Sequence, residues 1–226
     1  KYVADLHRRT GLRADAPAHK KSSPSVSVEA PKSTNSGELF TAEMRQQLNA
    51  VFGRVERPLL LKLSLDNRPV SEELEQFITT LAALSDKLTM EVADRQAEET
   101  FAPCVVICYA DGTQTGLGFH GIPSGHEFTS FGLGLYNTAG PGQTIEEDMA
   151  QSIENIHTPV NMKILVTLSC SMCPELVVAA QKIAAKNPLV TAEVYDIQHF
   201  PQLRNQIRVM SVTCLILNDA QVLFGK

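Results

Sequence analysis

Apolar positions along the chain follow two spacings, and these predict helices that alternate with strands. Recurrence every three or four residues predicts a helix, whereas short runs of Val, Ile and Leu predict strands. The pairs Asp111-Gly112 and Asn218-Asp219 predict turns between adjacent strands. The predicted helices are Thr41–Phe52, Ser71–Leu84, His126–Asn137, Thr144–Ile156, Cys173–Lys186 and Phe200–Ile207, and the predicted strands are Leu59–Leu65, Leu88–Val92, Cys104–Tyr109, Gly116–His120, Lys163–Leu168, Thr191–Tyr195, Cys214–Leu217 and Gln221–Phe224.

Polar residues at two helix starts predict how those helices are capped. Ser71 is the expected N-cap of its helix, with Glu72 and Glu73 in the first turn. Thr144 and Glu147 have the spacing of a capping box.

The order of helices and strands occurs twice, which predicts an α/β fold made of two similar units. Pro103–Ile107 in the first unit corresponds to Thr213–Leu217 in the second. We expect two tandem thioredoxin-like folds packed as one unit, at residues 38–140 and 141–226, with helices on both faces of the sheet. One irregular α/β domain is the alternative.

The first residues differ in composition from the rest. Residues 1–9 resemble the end of a helix from a preceding domain, and residues 10–37, rich in Ala, Pro, Ser and Lys, predict a flexible linker. Residues 1–36 contain seven Lys or Arg and three Asp or Glu, whereas the whole chain has a net charge of −5. An acidic body gives no electrostatic reason to expect nucleic acid. No apolar run approaches the ~18 residues of a membrane span, and the cysteine usage favours a cytoplasmic protein.

A pair of cysteines carries the strongest chemical signal. Cys170-Ser171-Met172-Cys173-Pro174 lies between a predicted strand and a predicted helix. A two-residue spacer lets the two sulfurs meet, and the unpaired N–H groups of a helix start stabilise a thiolate. The pattern predicts a redox-active dithiol in which Cys170 is the exposed thiol and Cys173 the resolving one. A zinc site is disfavoured because no second ligand pair with suitable spacing follows.

The corresponding loop of the first unit, Asp66-Asn67-Arg68-Pro69, has no thiol, so this unit is expected to be redox-silent and to serve as a scaffold or docking surface. Other residues are weaker candidates. The strand cysteines Cys104, Cys108 and Cys214 are expected in the core. The histidines His120 and His126 are expected at the surface or in hydrogen bonds, and Met172 is expected to contact partners.

The segment Ser124-Gly125-His126-Glu127-Phe128-Thr129-Ser130, together with Leu168–Pro174, makes the chain from about Phe40 to Lys226 resemble the N-terminal domain of the flavoprotein subunit of alkyl hydroperoxide reductase. The resemblance implies a tandem thioredoxin fold and a relay of electrons from NAD(P)H and FAD in a reductase domain to a peroxiredoxin-like or thioredoxin-like disulfide acceptor. It implies that Cys170 attacks, that Cys173 resolves, and that Glu127 lies near the dithiol. No cofactor is expected in residues 1–226 themselves.

Two departures from that family bear on function. The order of domains is expected to be reversed, with the reductase upstream of residue 1. The family has a cis-proline where this chain has Thr213, so we predict a trans bond before Thr213, a cis bond before Pro103, and a hydrogen bond from the Thr213 hydroxyl to Cys170. Two other functions are possible on the sequence: a disulfide isomerase-like protein, or a binding module whose CxxC holds metal.

Overall fold

The computed structural model describes residues 39–99, 101–207 and 212–224, except for the side chains of residues 204, 206 and 207. In these ranges no helix is both long and apolar enough to cross a membrane. The predicted terminal helix and linker, residues 1–9 and 10–37, lie outside the described residues. The helices are α1 (Ala42–Phe52), α2 (Pro69–Ala82), α3 (Glu127–Ala139), α4 (Glu147–Glu154), α5 (Cys173–Lys186) and α6 (Pro201–Ile207), and the strands are β1 (Leu59–Ser64), β2 (Leu88–Asp94), β3 (Cys104–Tyr109), β4 (Gln114–His120), β5 (Val160–Val166), β6 (Val190–Asp196), β7 (Cys214–Leu217) and β8 (Gln221–Phe224).

All eight strands form one sheet in the order β2-β1-β3-β4-β6-β5-β7-β8. The first half of the molecule, β1–β4 with α1–α3, and the second half, β5–β8 with α4–α6, repeat the same internal strand order. In each half the first strand pairs parallel with the second and antiparallel with the third. A parallel pair between β4 and β6 joins the halves. The predicted tandem thioredoxin-like fold is therefore correct, and the alternative of one irregular domain is wrong.

Helices cover both faces of the sheet, but unequally. Alternation along β5 points Ile164 and Val166 to one face and Leu165 to the other. Residues of α1, α2, α3 and α5 pack with the first set in one core that runs through both halves. Leu165 belongs to a small cluster with Phe200 on the opposite face, against which Leu203 of α6 packs. A single core across the seam makes the two halves one packed unit.

Both capping predictions are wrong, because other hydrogen bonds hold the two segments. Helix α2 begins earlier, at Pro69, and the Ser71 hydroxyl instead donates to Asp66 Oδ1 at 2.7 Å. Helix α4 begins only at Glu147, after an N-cap residue whose side chain makes no cap bond. The preceding segment is held against the end of α3, where Asn137 accepts from the Gln143 backbone at 2.8 Å and donates to its side chain at 2.9 Å.

Candidate active site

The dithiol lies where β5 ends and α5 begins. Cys170 and Cys173 are joined in a disulfide with their Cα atoms 5.5 Å apart. Cys170 is half-buried, whereas Cys173, the first residue of α5, is 0% exposed. Pro174 occupies the first turn, where a backbone N–H has no helical partner to lose. The two cysteines thus differ in access to solvent, as the sequence predicts.

Thr213 faces this disulfide from the start of β7, but not as predicted. The Val212–Thr213 peptide bond is cis, so the prediction of a trans bond is wrong. Thr213 is 6% exposed, and its hydroxyl donates to Cys173 Sγ at 3.3 Å rather than to Cys170. Packing of this buried side chain against the dithiol loop overrides the preference of a non-proline bond. In the first half the predicted cis bond, Ala102–Pro103, is present.

Glu127 begins α3, directly after a loop that packs beside the dithiol segment. The backbone N–H of His126 donates to Leu168 O at 3.1 Å. Gly125 has φ +57°, and a Cβ there would lie 2.6 Å from Leu168 O. Glycine is therefore required for this close approach, which is why the Ser124–Ser130 segment contains it. The contact brings the start of α3 from the first half to within two residues of Cys170.

The register of two packed helices places Glu127 at the level of Cys173. A Cβ on Gly134 would lie 2.9 Å from Gln181 Oε1, so α3 and α5 approach closely at these positions. Gly134 lies seven residues after the first residue of α3, and Gln181 lies eight after the first residue of α5. Both helices start at the edge of the sheet where β4, β5 and β6 end, so they run in parallel. The two N-termini are therefore side by side.

The Glu127 carboxyl is buried and incompletely paired. It is 0% exposed, and Oε2 accepts a short hydrogen bond from Ser130 Oγ. Within the described residues Oε1 has no hydrogen-bond partner. Burial raises the pKa of Glu127 to about 7, the Ser130 hydrogen bond opposes that rise, and the nearby charge of Asp196 adds to it. A carboxyl with such a pKa can take up or release a proton near neutral pH.

In the first half, the place of the dithiol is filled by an arginine. Arg68 Nε donates to Asp66 Oδ2 at 2.7 Å, and its Nη2 donates a short hydrogen bond to the carbonyl of Ala102, the residue before cis-Pro103. Its Nη1 reaches the second half and donates to His199 O at 2.9 Å. Burial acts to raise the pKa of Asp66, but the hydrogen bonds from Arg68 and Ser71 outweigh burial and hold this pKa below its usual value.

The remaining cysteines are buried and unpaired with one another. Burial raises the pKa of Cys104 to about 12 and that of Cys214 to about 11, and it also raises the pKa of Cys108. Such thiols carry little thiolate and react slowly. The prediction that all three belong to the core is correct.

The two histidines and Met172 differ in burial. His120 is not at the surface but is 0% exposed, with Nδ1 2.7 Å from Phe101 O and its ring stacked on Tyr195. His126 is half-buried at the start of α3. Met172 is 56% exposed between the cysteines, where a partner can reach it.

Sequence reasoning missed Asp196, which ends β6 at the same edge of the sheet. It is 0% exposed, and burial raises the pKa of its carboxyl. Its register partner is Val166, the last residue of β5 before the dithiol loop. The available signal was a carboxylate directly after the apolar strand, because parallel strands ending together bring such residues to one site.

Metal binding by the CxxC finds no support in this arrangement. Cys170 and Cys173 are bonded to one another, and among the described residues no group of three or more His, Cys, Asp or Glu could hold a metal ion. The arrangement is that of a thiol–disulfide exchange site on the second of two thioredoxin-like folds.

Comparison with known proteins narrows this class. The thioredoxin domain family matches residues 160–226. The N-terminal domain of alkyl hydroperoxide reductase AhpF from Enterococcus faecalis is 36% identical, with a TM-score of 0.77 over 82% of this chain and 94% of that one. The chain belongs to this family of tandem-thioredoxin AhpF domains and is a thiol–disulfide oxidoreductase module.

Two longer proteins from other bacteria are also similar. An alkyl hydroperoxide reductase protein of Pseudomonas aeruginosa is 29% identical over 80% of this chain. A protein named NADH dehydrogenase from Ferdinandcohnia aciditolerans is 29% identical over 81% of it. Each match covers 34% of the relative, so the chain spans about a third of the length of these curated relatives.

Proposed function

We propose that the Cys170–Cys173 dithiol relays electrons from an NAD(P)H- and FAD-dependent reductase domain to the disulfide of a peroxiredoxin-like acceptor. The observation that carries the proposal is the unequal burial of the two sulfurs beneath Thr213, in a chain whose relatives are named for hydroperoxide reduction. One sulfur accessible to partners and one protected sulfur are what a two-step exchange needs.

The chemistry proceeds in two displacements. The Cys170 thiolate attacks one sulfur of the acceptor disulfide, which forms a mixed disulfide and releases the first acceptor thiolate. The Cys173 sulfur then attacks Cys170, which releases the second acceptor thiolate and forms the Cys170–Cys173 disulfide. The acceptor gains two electrons and the module loses two. Reduction of the module by a second dithiol, belonging to the reductase domain, reverses these steps.

Glu127 serves the second displacement. Cys173 is buried and must lose its proton before it attacks Cys170. The Glu127 carboxyl lies at the same level at the neighbouring helix start, and its pKa of about 7 suits it to accept that proton. Thr213 has a positioning role, because its hydroxyl donates to the Cys173 sulfur and stabilises the charge that develops there.

The reductase domain and its cofactors belong outside residues 39–226 in this proposal. NAD(P)H and FAD supply the hydride chemistry there, and residues 10–37 join that domain to the dithiol module. The gene encoding this chain should accordingly contain glycine fingerprints for two dinucleotides before residue 1.

Trapping of the mixed disulfide tests the proposal. The reduced Cys173→Ser variant, incubated with an oxidised peroxiredoxin, should accumulate a covalent complex through Cys170 that a reductant dissolves. Cys170→Ser should form none. Equal trapping by both variants would contradict the roles assigned to Cys170 and Cys173.

The reduction potential separates this proposal from a disulfide isomerase. Equilibration with glutathione, read by mass spectrometry after alkylation, should give a potential near about −270 mV, as in reductants, rather than about −180 mV, as in isomerases.

A further inference from the structure

Behind the dithiol lies a second buried carboxyl whose position the proposed exchange chemistry has not used. Asp196 and Glu127 are both 0% exposed, and each has one carboxyl oxygen that finds no partner among the described residues, Asp196 Oδ2 and Glu127 Oε1. Buried carboxyl oxygens are normally paired, and a lone one is costly. Two such atoms at one end of a sheet point to a site built for proton transfer.

Strand geometry turns the Asp196 carboxyl towards the helix starts where Glu127 lies. Val194 lies in the core beneath α3 and α5, whereas Tyr195 faces the opposite side of the sheet. Alternation along β6 therefore turns Asp196 towards α3 and α5, at the edge where Glu127 and Cys173 begin those helices. The charge of Asp196 also contributes to the raised pKa of Glu127, in agreement with this placement.

Close packing holds Asp196 in this position. Gly121, directly after β4, has φ +106°, and a Cβ there would lie 3.1 Å from Asp196 Cβ. Asp196 Oδ1 accepts from the backbone N–H of Gln198 at 3.1 Å, which fixes the carboxyl orientation. The free oxygen, Oδ2, is then the one that remains for another group.

That oxygen faces a histidine that reaches solvent. His199 Nε2 lies 3.8 Å from Asp196 Oδ2, and the His199 side chain is 30% exposed. This separation is longer than a hydrogen bond, so proton transfer between the two atoms requires movement of the ring or one bridging water. The His199 backbone is held from the first half by Arg68 Nη1, which donates to its carbonyl. The series Cys173, Glu127, Asp196 and His199 therefore leads from the buried sulfur to water.

We propose that Asp196 and His199 form the exit path by which the proton that Glu127 takes from Cys173 reaches solvent. The inference rests on the proposed exchange chemistry and adds two residues to it. In the second displacement the Cys173 proton passes to Glu127, then to Asp196, then to the His199 imidazole, and finally to water. No electron moves along this path. The reverse direction supplies a proton to Cys173 when the disulfide is reduced.

The test uses the reduced 226-residue chain and 5,5′-dithiobis(2-nitrobenzoate), which releases one coloured thiolate in each displacement. Stopped-flow absorbance then separates attack by Cys170 from resolution by Cys173. His199→Ala should slow the second phase about tenfold near neutral pH and leave the first unchanged, a smaller effect than the loss of a direct base. Added imidazole should restore the rate. The defect should shrink as pH rises, because hydroxide replaces the relay.

Two further variants complete the test. Asp196→Asn should slow the second phase to a similar extent without rescue by imidazole, and His157→Ala, an exposed histidine elsewhere, should behave like the parent. A second phase within twofold of the parent rate in His199→Ala overturns the proposal. The proposal is also overturned if His199→Ala slows the second phase and added imidazole does not restore its rate. The first phase tests the proposed function separately, because its persistence in Cys170→Ser would contradict the exchange chemistry itself.

Discussion

The two halves of this molecule share a strand order and a cis peptide before the third strand of each half, yet they place opposite chemistry at the same location. In the second half the loop after the first strand carries Cys170 and Cys173, and Thr213 of the cis peptide donates to sulfur. In the first half the equivalent loop carries Arg68, whose guanidinium binds the carbonyl before cis-Pro103. Where the second half has a site that reacts with external disulfides, the first half has an internal hydrogen-bond network.

The difference teaches how a silent copy remains useful. Arg68 pairs with Asp66 and also reaches His199 of the second half, so the network stabilises the seam. The first half also contributes Glu127 to the neighbourhood of the dithiol. One half thus performs the exchange while the other supplies a carboxyl and a fixed scaffold for it.

The largest expected contrast comes from a serine substitution in the dithiol loop compared with a serine substitution in the equivalent loop of the first half. Cys170→Ser should lower the rate of insulin disulfide reduction by on the order of 10³-fold or more, because the attacking thiolate is gone. Asn67→Ser, an exposed position in the first half, should leave the rate unchanged. A turbidity assay with dithiothreitol measures both. A loss in Asn67→Ser would mean that the first half is not silent.

Removing the arginine should mainly affect stability. Arg68→Met leaves the Asp66 carboxylate without its charged partner, and the carbonyls of Ala102 and His199 without their donor. We expect a loss of about 2–3 kcal/mol in the free energy of unfolding, less than the roughly 3–5 kcal/mol of a fully buried pair, because Arg68 is partly exposed.

The control for that variant is Arg95→Met, which removes an arginine from an exposed ion pair with Glu75. It should change the urea midpoint little. Similar midpoints for the two variants would show that Arg68 does not stabilise the seam.

The pH dependence of stability distinguishes Glu127 from Glu147, since each is the first residue of a helix but only Glu127 is buried. The folded-state pKa of Glu127, about 7, exceeds its ordinary value of 4.5. Its contribution is therefore fully present below pH 4.5 and is lost as pH rises through 7.

Glu127→Gln should remove this loss. At pH 8 the variant should be more stable than the parent by up to roughly 3 kcal/mol, and at pH 4 the two should agree. Urea titrations at both pH values measure this difference, with Glu147→Gln as the control expected to match the parent. Asp196, whose pKa is also raised by burial, leaves a residual slope in every variant. Equal stability of Glu127→Gln and parent at pH 8 would contradict an ionised, buried Glu127.

Local signals predicted most of the fold. Strand β3 (Cys104–Tyr109) and helix α5 (Cys173–Lys186) have the predicted ends, because an apolar run bounded by turn or cap signals is sufficient to define each. The start of α4 was predicted too early, since the preceding segment is held by hydrogen bonds between Asn137 and Gln143, which the spacing of Thr144 and Glu147 does not reveal.

The sequence predicted the covalent chemistry of the site and, through the family resemblance, the position of Glu127 near the dithiol. Cys170 and Cys173 carry a motif, whereas Asp196 resembles any polar residue that ends a strand. Its importance depends on burial and on a missing partner, neither of which sequence spacing contains. The bond before Thr213 was predicted wrongly because a local preference cannot account for packing against Cys173.

Thr213 gives the smallest effect and the finest comparison between the halves. Thr213 and Thr115 are similarly buried, at 6% and 7% exposure. The Thr213 hydroxyl donates to Cys173 Sγ, whereas the Thr115 hydroxyl donates to Ile107 O at 2.8 Å. Replacing Thr213 by valine should remove this one buried hydrogen bond, worth about 1 kcal/mol. Replacing Thr115 removes two, because its hydroxyl also accepts from the backbone N–H of Leu117 at 3.3 Å. Only Thr213→Val removes a hydrogen bond to sulfur.

Thr213→Val should make the reduction potential more negative, because a hydroxyl stabilises a thiolate more than it stabilises a neutral disulfide sulfur. A difference of about 1 kcal/mol corresponds to about 20 mV for this two-electron couple. The shift should grow with pH, as more of the reduced form carries a Cys173 thiolate. Equilibration with glutathione at pH 7 and pH 9 measures it. Thr115→Val should leave the potential unchanged at both pH values while lowering the urea midpoint at least as much as Thr213→Val does. A less negative potential for Thr213→Val, or equal shifts in both variants, would show that the hydroxyl does not act on the dithiol.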